Sequence, residues 1–265
     1  MYSRFQLAKK YLHFYRHAHN SKGHGVHSPF VFNFIQQVKN SKFCPSYTAQ
    51  IESHRSQLLK DNRLISVDDF GAGSHLTKGK MRRVKDIAAA SPKSRRLAQL
   101  IFRIASHYNC RHIIELGTSF GITTAYLSAA SEDAHVTTIE GSKTIAHIAQ
   151  TFFNSNHFNN ITLINDTFDN AIPSLTNTHQ NIDLLFIDGN HKEAATIRYF
   201  LDFLPKAHND TIFIFDDIHW SGEMENAWKS IIAHERVTMT IDLFFIGLVF
   251  FRKEFLVKQD FRVRL

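Results

Sequence analysis

Acidic side chains stand at the ends of five successive apolar runs in the second half of the chain. They are Glu115, Glu140, Asp166, Asp188 and Asp216. Short apolar runs of this kind are typical of parallel strands buried on both faces, and in a doubly wound sheet ligands bind at the carboxyl ends of the strands. A row of carboxylates along one edge is costly unless cationic or hydroxyl-rich ligands meet it. The pattern therefore predicts a site for a ligand with positive charge or hydroxyl groups.

The first of these acids opens a turn that contains two glycines. Residues 111–128 read RHIIELGTSFGITTAYLS, which predicts a strand, a tight turn and the start of a helix. At such a junction a ligand can contact bare backbone and the positive end of a helix. Gly117 tolerates backbone angles that a side chain disfavours, and it leaves room for the ligand. Because Glu115 ends the strand, the ligand near it is expected to carry a positive group.

Strand-like and helical patterns alternate from residue 111 onward, which is typical of a doubly wound sheet. Over residues 237–252 two strand-like runs follow each other without a helix between them. We predict an α/β fold with a mostly parallel, seven-stranded sheet and a C-terminal antiparallel hairpin at its edge. Residues 1–90 are predicted to form a mainly helical extension, with a polar loop over residues 67–80. Residues 91–265 are predicted to form the ligand-binding domain, which a long helix from Pro92 introduces.

Charge divides the chain into two unlike parts. Residues 1–110 hold 19 Lys and Arg but 5 Asp and Glu, whereas residues 111–265 hold 12 and 19. The basic part suits an anionic partner, which includes nucleic acid, phospholipid and acidic small molecules. A solvated basic surface, or a contact with the acidic part, accounts for the charge equally well.

Composition gives a few further expectations. No run of about 18 apolar residues predicts a membrane span. The start is basic and aromatic and lacks the apolar core of a signal peptide, and the two cysteines, Cys44 and Cys110, favour reduced thiols. We therefore expect a cytoplasmic protein. Leu243, Phe244 and Phe245 in the final hairpin suit either the edge of a homodimer or the core.

The segment ELGTSFG from Glu115, with Glu140 at the end of the next strand, resembles the cofactor site of class I S-adenosylmethionine-dependent methyltransferases. The resemblance extends over about residues 95–252, and it implies a Rossmann-like methyltransferase fold. It also implies that Glu115 holds the amino group of the cofactor and that Glu140 accepts hydrogen bonds from the ribose hydroxyls. The other implied cofactor contacts are Gly117, Thr118, Ser119 and Gly121 at the methionine part, Asp166 and Thr167 at the adenine, and Asp188.

Residues 186–191, FIDGNH, and residues 215–219, FDDIH, resemble the metal-dependent small-molecule O-methyltransferases within this superfamily. The resemblance implies that Asp188, Asp216 and Asp217 bind Mg²⁺, a cation that prefers oxygen ligands. It further implies that His191, together with Asp188, is catalytic, with His191 as the general base that takes the proton of a substrate hydroxyl. The expected acceptor is a small hydroxylated molecule.

Other interpretations of these residues stay open at the level of sequence. Asp216 and Asp217 also suit a helix cap or a pairing with basic residues, and His191 suits a helix cap. The second candidate function is an RNA or protein methyltransferase that grips its substrate with the basic part. Nucleic acid is not the favoured partner, because the chain lacks the motifs of base methylation that the family usually shows. The third candidate is a non-catalytic module that retains the cofactor pocket.

Overall fold

The computed structural model describes residues 1–68, 80–90, 93–178 and 181–265. Its helices are α1 (Arg4–His17), α2 (Pro29–Asn33), α3 (Thr48–Leu58), α4 (Val84–Ala90), α5 (Arg95–His107), α6 (Ile122–Ser128), α7 (Lys143–Ser155), α8 (Phe168–Thr178), α9 (Glu193–Phe203) and α10 (Gly222–Ala233). A π-helix (Phe34–Lys39) continues α2, and a 3-10 helix (Leu204–Lys206) follows α9. Its strands are β1 (Leu64–Val67), β2 (Lys80–Arg83), β3 (His112–Leu116), β4 (His135–Ile139), β5 (Ile161–Ile164), β6 (Ile182–Ile187), β7 (Ala207–Asp216), β8 (Met239–Asp242), β9 (Ile246–Phe250) and β10 (Gln259–Arg262).

Two predicted features fall on residues outside these ranges. Most of the predicted loop over residues 67–80 does so, and so does the predicted helix start at Pro92. The helix itself, α5, begins after Ser94, whose hydroxyl accepts a hydrogen bond of 3.3 Å from the backbone N–H of Leu97. This is an ordinary N-cap, so Ser94 rather than a proline starts the regular helix.

The described chain divides into two compact units. The first unit is Met1–Ser41 together with His179–Leu265, and the second unit is Lys42–Thr178. In the second unit β3, β4 and β5 are parallel, with His112 opposite His135. Helices α6, α7 and α8 follow these strands in turn, as the alternating pattern predicts. A separate antiparallel pair is formed by β1 and β2.

In the first unit β6 and β7 are parallel, β9 is antiparallel to β7, and β8 is antiparallel to β9. The predicted C-terminal hairpin is therefore confirmed, and with it the α/β fold. The hairpin turn is closed by the backbone N–H of Leu243, which donates to the carbonyl of Ile246 at 3.0 Å. Leu243 and Phe244 are buried and belong to the core, whereas Phe245 is exposed.

The described strands from β3 to β10 number eight, one more than the seven predicted. The additional strand is β10, which lies parallel to β8 with Gln259 opposite Met239. It occupies the edge position that the sequence suggested for the hairpin. Since β10 reads QDFR and alternates half-buried with exposed residues, no apolar run marks it in the sequence.

The described part of residues 1–90 is mainly helical, with β1 and β2 as its only strands. The division of the chain at residue 90 stays a prediction. None of the helices in the described ranges combines the length and the apolar character needed to cross a membrane.

Candidate active site

The turn after β3 is held against the next strand by backbone hydrogen bonds. The N–H groups of Gly117 and Thr118 both donate to the carbonyl of Ile139 at 3.1 Å. Gly117 has φ 111°, in the region that favours glycine, and Ser119 has φ 48°. The predicted glycine turn is therefore present, and it includes a serine in the left-handed conformation.

Gly121 ends this turn and is the N-cap residue of α6, with φ 79°. Its N–H donates to the carbonyl of Thr118 at 2.9 Å. A Cβ atom at this position would lie 2.5 Å from the ring of Phe153. Both the backbone angle and the close contact require glycine here, which gives a physical reason for the second glycine of the motif.

Glu115 is fully buried at the end of β3. One of its carboxylate oxygens, Oε2, accepts hydrogen bonds from the hydroxyls of Thr124 and, at 2.7 Å, of Thr138. The hydroxyls of Thr138 and Thr118 are 2.6 Å apart, so the network continues into the turn. Charge-assisted bonds of this kind fix the carboxylate in one orientation.

Glu140 follows β4 and is half-buried. Its Oε2 accepts a hydrogen bond from the backbone N–H of Ser119, and its Oε1 accepts one from the N–H of Ser142, both at 2.9 Å. Both donors are backbone N–H groups, so the glycine turn and the start of α7 orient this carboxylate. The side-chain oxygens of Ser119 and Ser142 are buried and have no hydrogen-bond partner among the described residues.

Asp166 and Thr167 lie directly before α8. Oδ1 of Asp166 accepts hydrogen bonds from the N–H of Thr167 at 2.7 Å and from the side-chain amide of Asn170 at 2.9 Å. These are contacts of a helix start, and both residues are half-buried. The two residues have the position that the resemblance implies, while these hydrogen bonds are local to the helix start.

A second group of predicted residues lies in the first unit. Asp188 follows β6, Asp216 ends β7, and His191 lies three residues after Asp188. One potential ligand atom from each of these three residues lies within 4.8 Å of the others. Asp216 is buried, and Nε2 of His191 is 3.8 Å from Oδ1 of Asp188. The side chains are thus close enough to share one cation, and His191 joins the two carboxylates.

The bend between Asp188 and His191 is fixed by Asn190. This residue has φ 48°, and its side-chain amide donates to the hydroxyl of Tyr199 at 3.1 Å. Tyr199 is buried in α9, so the bend is anchored to a helix of the core. Asn is one of the few non-glycine residues that tolerate this backbone angle.

Asp217 lies outside the group formed by Asp188, His191 and Asp216 in the described structure. It has φ 53°, and its N–H donates to the carbonyl of Phe245 at 2.7 Å. The chain therefore changes direction at this residue. Its assignment as a metal ligand stays a prediction that rests on the sequence resemblance alone.

His54 of α3 is a residue of the site that the sequence did not single out. Its Nε2–H donates to the carbonyl of Phe120 within the glycine turn at 3.2 Å, and its ring stacks on Phe152 at 3.8 Å. Burial lowers the pKa of His54 to about 4, against the weaker opposing effect of its hydrogen bond to Phe120. His54 and Phe120 are 66 positions apart, so no local pattern reveals their contact.

A second contact from α3 reaches α6, the helix that follows the turn. The hydroxyl of Tyr126 donates to Glu52 at 3.0 Å, and Arg55 pairs with the other oxygen of Glu52 at 3.0 Å. Burial and the neighbouring Glu52 raise the pKa of Tyr126 to about 12. Helix α3 thus supports the turn and the helix after it at two places.

Comparison with known proteins agrees with this geometry. Residues 114–218 match the model of a family described as a methyltransferase domain. No curated protein matches the chain significantly.

Solved structures show the same fold at low sequence identity. An O-methyltransferase from Bacillus cereus, solved with S-adenosylhomocysteine, is 20% identical, with 63% of this chain and 88% of that chain covered and a TM-score of 0.54. A Podospora anserina methyltransferase, also bound to S-adenosylhomocysteine, is 12% identical, with 96% and 98% covered and a TM-score of 0.59. The O-methyltransferase TomG from Streptomyces achromogenes, solved with S-adenosylmethionine, is 16% identical, with 84% and 95% covered and a TM-score of 0.55.

The glycine turn, the acids after successive strands, the family match and the shared fold agree with one another. Residues 114–218 therefore carry a methyltransferase domain, and the chain has the Rossmann-like fold of the class I S-adenosylmethionine-dependent methyltransferases.

Proposed function

We propose that this chain transfers the methyl group of S-adenosylmethionine to a hydroxyl oxygen of a small molecule, with a divalent cation at Asp188 and Asp216. The observation that carries the proposal is the close group of Asp188, His191 and Asp216, whose potential ligand atoms lie within 4.8 Å of one another. Such a group suits the binding and deprotonation of a hydroxyl. Methyl transfer to a nitrogen or carbon atom would explain less well why two carboxylates and a histidine lie together here.

The glycine turn of the second unit has polar groups that suit the cofactor. Glu140 accepts hydrogen bonds from the backbone N–H groups of Ser119 and Ser142, and the side-chain hydroxyls of both serines are unpartnered among the described residues. A carboxylate beside two hydroxyls suits the ribose diol. Glu115, rigidly held by Thr124 and Thr138, would orient the amino group of the methionine part.

The carboxylates of Asp188 and Asp216 provide the hard oxygen ligands that Mg²⁺ and Mn²⁺ prefer. A divalent cation bound there would lower the pKa of a coordinated substrate hydroxyl. Asp217 is the third ligand that the sequence predicts. His191 is nearer to the other two carboxylates in the described structure, and it is the alternative third ligand.

His191 is also the proposed general base. Its ring is partly exposed, so a proton accepted from the substrate can leave to solvent. When His191 takes the hydroxyl proton, the electron pair of the O–H bond stays on oxygen and forms the new bond to the methyl carbon. The electron pair of the breaking carbon–sulfur bond remains on sulfur, which leaves S-adenosylhomocysteine as a neutral thioether. The protein contributes mainly by positioning these groups.

Calorimetric titration tests the cofactor and the cation separately. The chelator-treated chain is titrated with S-adenosylmethionine and then with MgCl₂ or MnCl₂. We expect cofactor binding, followed by a cation signal that Asp216→Asn abolishes and that the exposed control Glu132→Gln retains. A chain that binds no cofactor would contradict the proposed activity. A cofactor complex without a cation signal would remove the metal from the proposal.

A second experiment distinguishes between His191 as general base and His191 as metal ligand. If His191 is the base, His191→Ala keeps the cation affinity and loses about 10²- to 10⁴-fold in turnover. If His191 is a ligand, the same variant loses cation binding together with activity. Turnover is followed as release of S-adenosylhomocysteine in the presence of catechols and sugars. Unchanged turnover in the variant would exclude both roles.

A homodimer and a cytoplasmic location stay predictions. Light scattering of the purified chain tests the first, and cell fractionation tests the second.

A further inference from the structure

The first unit contains a cavity of about 860 Å³ that is bounded by α1, α10, β8 and β10. We call it the basic cavity, after Lys9, His13, His17, Lys229 and Arg262, which line it. Small-molecule sites have volumes of about 300–1,000 Å³, so its size suits one small ligand. Asp188, His191 and Asp216 do not line it, so it is distinct from the site proposed for methyl transfer.

Three of the cations in this cavity have no partner among the described residues. Lys9, Lys229 and Arg262 are exposed, and their side chains make no hydrogen bond or ion pair within the described ranges. The rings of His13 and His17 are tilted by 34° with their centroids 4.3 Å apart, and Nδ1–H of His17 donates to the carbonyl of His13 at 2.8 Å. The cavity thus offers several donors that a ligand can use.

The half-buried Glu225 and the buried Asp242 at the cavity are, by contrast, already engaged. Glu225 accepts from Lys10 and from the hydroxyl of Tyr2, each at 2.9 Å. Asp242 accepts from Nε2 of His219 at 2.9 Å and from the N–H of Phe244 at 2.8 Å. Their charges are therefore balanced within the protein.

Asp260 is the remaining acid at the cavity, and it accepts a hydrogen bond of 2.8 Å from the hydroxyl of Thr240. Against this single exposed carboxylate stand the unpaired Lys9, Lys229 and Arg262. The uncompensated charge at the cavity is therefore positive.

The inner wall of the cavity is aromatic. Phe14, Trp228 and Phe244 line it and are at most 6% exposed. Phe14 and Phe244 contact each other edge to face, with ring centroids 5.4 Å apart. A wall of this kind binds an apolar body, while the charged rim binds an anionic group.

We propose that the basic cavity binds a small anionic molecule with an aromatic or apolar body, its acidic group held by Lys229 and Arg262. The lysine is on α10 and the arginine is on β10, so two elements supply the charge. Arg262 suits a carboxylate, sulfonate or phosphate because its guanidinium can form paired hydrogen bonds. The proposal does not depend on the methyltransferase reaction.

The test is a fluorescence titration with 8-anilinonaphthalene-1-sulfonate, a dye that combines a sulfonate with an aromatic body. It is performed with excess S-adenosylhomocysteine, so that the cofactor site does not contribute. We expect the Lys229→Ala/Arg262→Ala double variant to bind the dye about tenfold more weakly. The control double variant Lys206→Ala/Lys253→Ala removes the same charge outside the cavity and should bind like the parent chain.

The uncharged analogue N-phenyl-1-naphthylamine distinguishes binding to the aromatic wall of the cavity from binding to its charged residues. It should bind the parent chain and the Lys229→Ala/Arg262→Ala variant equally, since its affinity does not involve the cations. An equal loss of sulfonate dye binding in both double variants would show a general charge effect and would overturn the proposal. Failure of the parent chain to bind the sulfonate dye, or unchanged binding in the cavity variant, would overturn it as well.

Discussion

Gly121 is the position at which one added methyl group tests the geometry of the cofactor turn most directly. Two independent penalties meet in Gly121→Ala. The residue has φ 79°, and an alanine Cβ would lie 2.5 Å from ring atoms of Phe153 and 3.4 Å from Cβ of Ala149. The ring of Phe153 is only 1% exposed, so it cannot move into solvent without cost.

The magnitude follows from these two penalties. A left-handed backbone costs an alanine about 1–2 kcal/mol, and overpacking of a buried site costs typically about 1–3 kcal/mol. We therefore expect Gly121→Ala to lower the free energy of unfolding by about 2–5 kcal/mol. Gly25→Ala is the matched control, because Gly25 has φ 80° and an alanine Cβ there would meet no described atom within 4 Å. The control should lose only the backbone part, about 1–2 kcal/mol.

Urea denaturation followed by circular dichroism measures both losses. Combining Gly121→Ala with Phe153→Ala in a double-mutant cycle isolates the contact, because the alanine at 153 removes the ring that the new methyl group meets. Binding of S-adenosylhomocysteine to folded Gly121→Ala should weaken as the turn shifts. If Gly121→Ala and Gly25→Ala lose the same stability, the close approach of Phe153 is not what requires glycine in this turn.

Three further predictions concern contacts that lie within one or the other of the two units. His54 has a folded-state pKa of about 4 against an ordinary value of 6.5, so the unfolded chain binds more protons between these values. The contribution of His54 to the free energy of unfolding is therefore complete above about pH 6.5 and is lost as the pH falls toward 4. His54→Phe should make the urea midpoint depend less on pH in this range. An unchanged pH dependence in the variant would refute this prediction. Gly247→Ala places a Cβ 2.5 Å from the ring of Trp228 and should cost about 1–3 kcal/mol and perturb tryptophan fluorescence, whereas a native-like spectrum and stability would count against the contact. Thr138→Val removes a donor to the buried Glu115 and should cost about 1–3 kcal/mol and weaken S-adenosylhomocysteine binding in calorimetry, and equal affinity would argue against a cofactor role for Glu115.

The parts of the fold that follow from local patterns could be predicted from the sequence. Apolar runs that alternate with amphipathic segments indicated the strands and helices of both units, because burial on both faces leaves a clear apolar signature. β10 left none, since a four-residue edge strand with Gln, Asp and Arg buries little. Its position depends on pairing with β8, which is a tertiary property.

The candidate site also contains residues that local sequence patterns could reveal and residues that they could not. Glu115, Glu140 and Asp188 could be located because a strand end is a local feature. His54 could not, because its partner in the turn is 66 positions away. The left-handed backbone of Asp217, with φ 53°, also could not be predicted, because no glycine marks it in the sequence.

The first unit joins two distant parts of the chain, so its parts are synthesised at different times. The hydroxyl of Tyr2 donates to Glu225, which lies 223 positions later. At about 5–20 residues per second, the ribosome makes the partner of Tyr2 some 10–45 s after Tyr2 itself. The newly made α1 therefore lacks its packing partners while the ribosome synthesises Lys42–Thr178. That second unit is one continuous segment of the chain. Until Phe244 is synthesised, Tyr11 and Phe14 of α1 lack the aromatic ring that both contact in the folded unit.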